Sequence, residues 1–132
     1  ADMDEGAERV AGLYFTRKPQ ITPVIYSECY YKPVEGTKEV IPTATPYKDY
    51  PHDSVFEIAA CGFGAGMVSV DLVKRVTALE GLPFAPKIGF GEDLSFCMRA
   101  SKVGAKMYCD SRIKCGHVMH TIMDEDAYAR MV

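Results

Sequence analysis

The sequence contains no apolar run approaching the roughly 20 residues that a membrane-crossing helix needs, so no span is expected. It also lacks an excess of positive charge. Fifteen Lys and Arg against 18 Asp and Glu give a net charge of −3, which argues against a nucleic-acid partner held through phosphate contacts. The opening Ala1-Asp2-Met3-Asp4-Glu5 is acidic, whereas a targeting segment is basic and then apolar. An even cysteine set is lacking too. Cys29, Cys61, Cys97, Cys109 and Cys115 are odd in number and irregularly spaced, unlike the framework of a small secreted disulfide protein. Reduced thiols in a cytoplasmic protein are expected instead, most of them serving as small core residues. There is no internal repeat and no low-complexity segment.

The 132 residues, 48% hydrophobic and 25% charged, suit a single domain over 1–132 with a substantial core. Arg9 to Phe15 is an apolar run read as a buried strand, and Pro23 to Tyr31, rich in aromatic and β-branched residues, as a second. Six of the eight prolines fall between Pro19 and Pro51, so that stretch is loop and short edge strand, with a short strand at Lys38–Ile41. Val55–Cys61 has strand character. Ser69 is placed to cap a helix through Leu79, with Leu72, Val73, Val76 and Leu79 as its apolar stripe. A second helix is expected from Glu92 to Val103, ending at Gly104, with Leu94, Cys97, Ala100 and Ser101 on its core face. Two short strands, 106–109 and 113–119, are expected around an Asp110-Ser111 turn, followed by a helix over 124–131. The pattern is α/β, a mixed sheet with flanking helices.

Chemistry concentrates in Gly91-Glu92-Asp93-Leu94-Ser95-Phe96-Cys97-Met98-Arg99, with His117 following 18 residues after Arg99. A helix start offers free N–H groups and a partial positive charge. An ionised carboxylate is favoured there, and that is the form a general base takes. The same dipeptide is also ordinary helix-start chemistry. His117 is a candidate metal ligand or a structural residue. Gly62-Phe63-Gly64-Ala65-Gly66 departs from dinucleotide-binding spacing, because Met67 stands where the third glycine belongs. Three glycines in five residues still require a sharp bend or a close approach, either as a substrate wall or as a strand-to-helix turn. Asp2-Met3-Asp4 is a possible oxygen-ligand pair near a chain end.

Taken in order, three passages resemble the C-terminal half of a family 2 glycosyltransferase. They are Ala60–Val68 with the Leu72-Val73-Lys74-Arg75-Val76 helix, Gly91–Arg99, and Gly104–Asp110 leading to Gly116-His117. The resemblance covers residues 8–120 and implies part of an A-type nucleotide-sugar fold, lacking the N-terminal nucleotide-binding half. It implies an inverting transfer of sugar from a nucleotide-diphosphate donor to a sugar or glycan hydroxyl. Asp93 would be the base, Glu92 would support the acceptor, and Gly62, Gly64 and Gly66 would line the site. Arg99 would pair with a carboxylate or face the diphosphate. His117 would assist a divalent metal, magnesium or manganese. That family's Asp-x-Asp motif lies well before these passages, and Asp2-Met3-Asp4 is too close to the Val10 strand to replace it. A fragment is therefore expected, inactive alone and prone to homo-oligomerise through the surface its other half would cover.

Two other readings stay open. One is a small zinc-stabilised interaction module built on Cys109, Cys115, His117 and His120. The other is a plain α/β binding domain in which Gly91-Glu92-Asp93 only starts a helix.

Overall fold

The computed structural model describes residues 7–17, 21–118, 120 and 122–131. The Asp2-Met3-Asp4 motif therefore lies outside the described residues.

The described residues form, in chain order, β1 (Arg9–Leu13), β2 (Ile25–Pro33), β3 (Val40–Pro46), β4 (Val55–Ile58), β5 (Ala60–Cys61), β6 (Gly66–Val68), α1 (Val70–Glu80), α2 (Glu92–Lys102), β7 (Met107–Lys114) and α3 (Glu125–Met131). They form two sheets, ordered β4-β7-β1-β6 and β3-β2-β5. In the first, β1 runs parallel to β7 and antiparallel to β6, while β4 is antiparallel to β7. The architecture is thus α/β with a mixed sheet and helices, as the sequence pattern implies. Every residue of β1 is buried, as befits an interior strand covered on both faces.

The helix ends follow local chemistry. The Ser69 hydroxyl accepts from the Leu72 N–H at 3.1 Å, capping α1. Gly81, at φ +86°, ends α1 by donating its N–H to the Thr77 carbonyl. Gly104, at φ +80°, follows α2. Asp124 caps α3 by accepting from the Ala127 N–H at 2.9 Å. Leu72 and Val76 of α1 join Phe96, Cys97 and Ala100 of α2, Ala11 and Leu13 of β1, and Met107 and Cys109 of β7 in one core.

The structure departs from the sequence pattern in four places. Val55–Cys61 is not one strand, because β4 belongs to the first sheet and β5 to the second. The chain changes sheets at Ala59, whose N–H reaches the Tyr26 carbonyl at 2.9 Å. Asp110-Ser111 is not a turn but the middle of β7. The Ser111 hydroxyl donates to the Pro51 carbonyl at 2.7 Å and accepts from the Ser54 N–H at 3.0 Å, so a buried polar residue is satisfied by a distant loop. What the turn-like residues mark is a slip in pairing: Gly12 faces Asp110, but Leu13 faces Lys114. The strand expected at Lys38–Ile41 lies instead at Val40–Pro46 and carries two prolines, which its position at a sheet edge tolerates. Finally, Leu79 and Ser101 are exposed, while Ser95 and Phe96 are buried. The core face of α2 therefore centres on Phe96 and Ala100, one turn apart.

Candidate functional site

Asp93 lies in the first turn of α2, after Gly91, which provides no side-chain cap. Its carboxylate compensates in part, since Oδ1 accepts the Leu94 N–H at 2.8 Å. The side chain is half-buried, Glu92 beside it is exposed, and Asp93 has no cationic partner among the described residues. One carboxylate oxygen is thus held, and the other has no hydrogen-bond partner among the described residues.

The second sheet meets α2 at this end. In β2, Tyr26 faces Pro46 but Glu28 faces Thr45, so the register shifts across Ser27. A bulge of this kind re-aims the residues after it. Tyr26, Cys29 and Tyr31 are consequently the half-buried positions of a strand whose Ser27, Glu28 and Tyr30 are exposed. Tyr31 packs on Phe90 with ring centroids 5.3 Å apart and donates its hydroxyl to the Ile88 carbonyl at 2.6 Å. That contact ties β2 to the loop leading into α2.

Tyr14, just past β1, joins the remaining parts. Its hydroxyl accepts the Gly64 N–H at 3.0 Å, and its ring meets the His117 ring edge-on at 5.9 Å. The His117 Nδ1 lies 2.7 Å from the Phe15 carbonyl. A carbonyl only accepts, so Nδ1 carries the hydrogen, and in the neutral ring the Nε2 lone pair has no hydrogen-bond partner among the described residues.

Asp93 is electrically close to this set. Burial pushes the Tyr14 hydroxyl pKa up, although the Gly64 N–H opposes it, and the Asp93 charge pushes it further. Burial and then the Asp93 charge likewise raise Tyr26, and they move the Cys29 thiol to about 11. Both phenols therefore stay protonated and able to donate at neutral pH.

The three glycines have specific neighbours. A Cβ on Gly62 would lie 2.0 Å from the Tyr14 hydroxyl oxygen, and one on Gly64 would lie 2.5 Å from its ring carbon Cζ. A Cβ on Gly66 would lie 2.4 Å from the Arg9 guanidinium. Arg9, 2% exposed, binds the carbonyls of Gly62 at 2.9 Å and Met67 at 3.2 Å, and its guanidinium stands 4.8 Å over the Phe63 ring. The passage leads from β5 into β6 rather than straight into a helix. Its glycines make room for Tyr14 and Arg9.

Arg99 is 6% exposed and pairs with a carboxylate, that of Glu80, at 3.1 Å. It also donates to the carbonyls of Pro83 at 3.2 Å and Ala85 at 2.6 Å. Its described partners thus hold the loop between α1 and α2. The zinc set does not assemble. Cys109 is buried inside β7 and His120 is exposed, and among the described residues no three His, Cys, Asp or Glu are gathered to hold a metal ion.

The structure brings together Tyr14, the Gly62–Gly64 turn and His117, with Tyr26 on the strand that pairs with β5; Asp93 stands apart at the start of α2, with no hydrogen bond to any of them among the described residues. Sequence reasoning missed both tyrosines. Tyr14 lies at the end of an apolar run and reads as core, and Tyr26 shares a face with Cys29 and Tyr31 only because of a bulge between them that no local pattern marks. No helix among the described residues is long and apolar enough to cross a membrane. No protein-family model, curated protein or solved structure matches the chain.

Proposed function

We propose that this chain forms the acceptor side of an inverting glycosyltransferase with a partial A-type nucleotide-sugar fold. The observation that supports the reading is Asp93 at the start of α2, half-buried, with one carboxylate oxygen that has no hydrogen-bond partner among the described residues. A carboxylate so placed can take the proton of an acceptor hydroxyl. The deprotonated oxygen bonds to the anomeric carbon of the donor sugar. The bond from that carbon to the diphosphate breaks on the opposite face, and the diphosphate keeps the electron pair. The nucleotide-binding half would be supplied by residues outside this chain.

His117 is the nitrogen donor this chain offers a divalent ion, because its Nδ1 is tied to Phe15 and its Nε2 is left available. When bound, magnesium or manganese offsets the charge that gathers on the departing diphosphate. Its other ligands would include diphosphate oxygens, since no three His, Cys, Asp or Glu gather around His117 among the described residues.

The test is Asp93→Asn in the full natural protein, assayed for sugar transfer from nucleotide-diphosphate donors. Turnover is expected to fall about a hundredfold or more with the melting temperature nearly unchanged. Near-normal turnover would remove Asp93 from the chemistry.

A further inference from the structure

Away from the residues described above, two nucleophilic side chains are in contact. Cys61 ends β5 and Cys97 lies in α2, and both are fully buried. The Cys97 thiol points at the other residue, with Sγ 3.6 Å from the Cys61 carbonyl oxygen. The two stand 36 positions apart in the chain, and the packing of α2 on β5 is what joins them.

Their surroundings make the two sulfurs unlike. Hydrogen bonding with Cys97 draws the Cys61 thiol pKa down, burial opposes it, and the Arg9 guanidinium adds to the lowering. Hydrogen bonding within the pair and burial both push Cys97 up. Arg9 is itself buried and has no carboxylate partner among the described residues, so Cys61 is the sulfur that ionises first. No other cysteine shares such a contact. Cys109 lies in β7 within the same core, where burial pushes its thiol up to about 12. Cys29 and Cys115 are half-buried.

We propose that Cys61 and Cys97 form a redox pair that closes to a disulfide, tying α2 to β5 one turn beyond Asp93 and just before the glycine-rich turn. This does not rest on the transferase reading. The oxidant is a low-molecular-weight disulfide such as oxidised glutathione. The Cys61 thiolate attacks one of its sulfurs, the glutathione S–S bond breaks, and one glutathione thiolate leaves. Cys97 gives its proton to that thiolate. The Cys97 sulfur then attacks the Cys61 sulfur and expels the second glutathione as a thiolate, which takes a proton from water. Two protein thiols are oxidised and one glutathione disulfide is reduced to two thiols. Both protein sulfurs are buried, so exchange takes place while the chain is open, and folding selects the pair that it brings into contact.

Refolding from urea in a buffer of reduced and oxidised glutathione tests this. The folded product is alkylated, digested without reduction and read by mass spectrometry. The Cys61–Cys97 linkage is expected to exceed every other. It should raise the urea midpoint above that of the reduced chain, because it constrains the unfolded state, and dithiothreitol should reverse the shift. The Cys29→Ser/Cys115→Ser variant keeps the pair and removes the half-buried thiols that could link separate chains, and it should give the same linkage. A dominant linkage through any other pair, Cys109 included, overturns the proposal. So does a folded product with no intramolecular disulfide, or a Cys61–Cys97-linked chain with a lower midpoint than the reduced one.

Discussion

Tyr14 shapes the glycine-rich turn. Its ring occupies the volume that side chains at Gly62 and Gly64 would fill, and its hydroxyl takes up the Gly64 N–H. Gly64 needs no left-handed backbone, since the positive-φ glycines are 36, 81, 89 and 104. It is glycine for space, and a phenol ring cannot flex out of the way as a lysine tip would. Gly64→Ala should therefore destabilise the fold by about 1–3 kcal/mol, the usual cost of overpacking. Tyr14→Leu in that background should recover part of the loss, read by urea denaturation. A Gly64→Ala protein as stable as its parent would show that Tyr14 is not what requires the glycine.

At the scale of elements, Glu80 joins α1, the loop after it and α2. Its carboxylate meets Lys102 at 3.0 Å, Arg99 at 3.1 Å and Lys87 at 3.7 Å. Hydrogen bonds from Lys102 and then Arg99, with the charge of Lys87, draw its carboxyl from 4.5 down to about 2. The folded value lies below the unfolded one, so the stabilisation is complete above about pH 4.5 and lost as the pH falls toward 2. Urea midpoints at pH 6, 4 and 3 should fall more steeply for the parent than for Glu80→Gln. Parallel profiles would mean that the cluster adds nothing to holding the loop. That loop matters because it carries Phe90 and leads into Asp93. It is braced on its other side by Gly89, at φ +80°, where a Cβ would lie 2.2 Å from Pro42.

At the scale of the molecule, the chain crosses from the first sheet to the second between β4 and β5, and β5 then pairs with β2, Ile25 facing Cys61 and Tyr26 facing Ala60. Cys61, Cys97 and Cys109 are buried in the core, while Cys29 and Cys115 are half-buried. Thiol labelling under native conditions should therefore modify at most Cys29 and Cys115. The other three should react only at the rate of global opening and at once in denaturant, read by mass spectrometry. Prompt native labelling of Cys97 would show that the core opens locally.

The elements whose cause is local were legible in the residues. Ser69 and Gly81 bound α1, Gly104 follows α2, the run at Arg9 makes a buried strand, and Glu92 and Asp93 start a helix, because caps, glycine freedom and apolar runs act over a few residues. Tertiary structure decided the rest. The run at Val55 divides between two sheets, Asp110-Ser111 lies within a strand because Pro51 and Ser54 satisfy Ser111, and a bulge at Ser27 puts Cys29 and Tyr31 on the face of Tyr26. Each depends on a partner many residues away, and the spacing of neighbouring residues holds no record of such a partner.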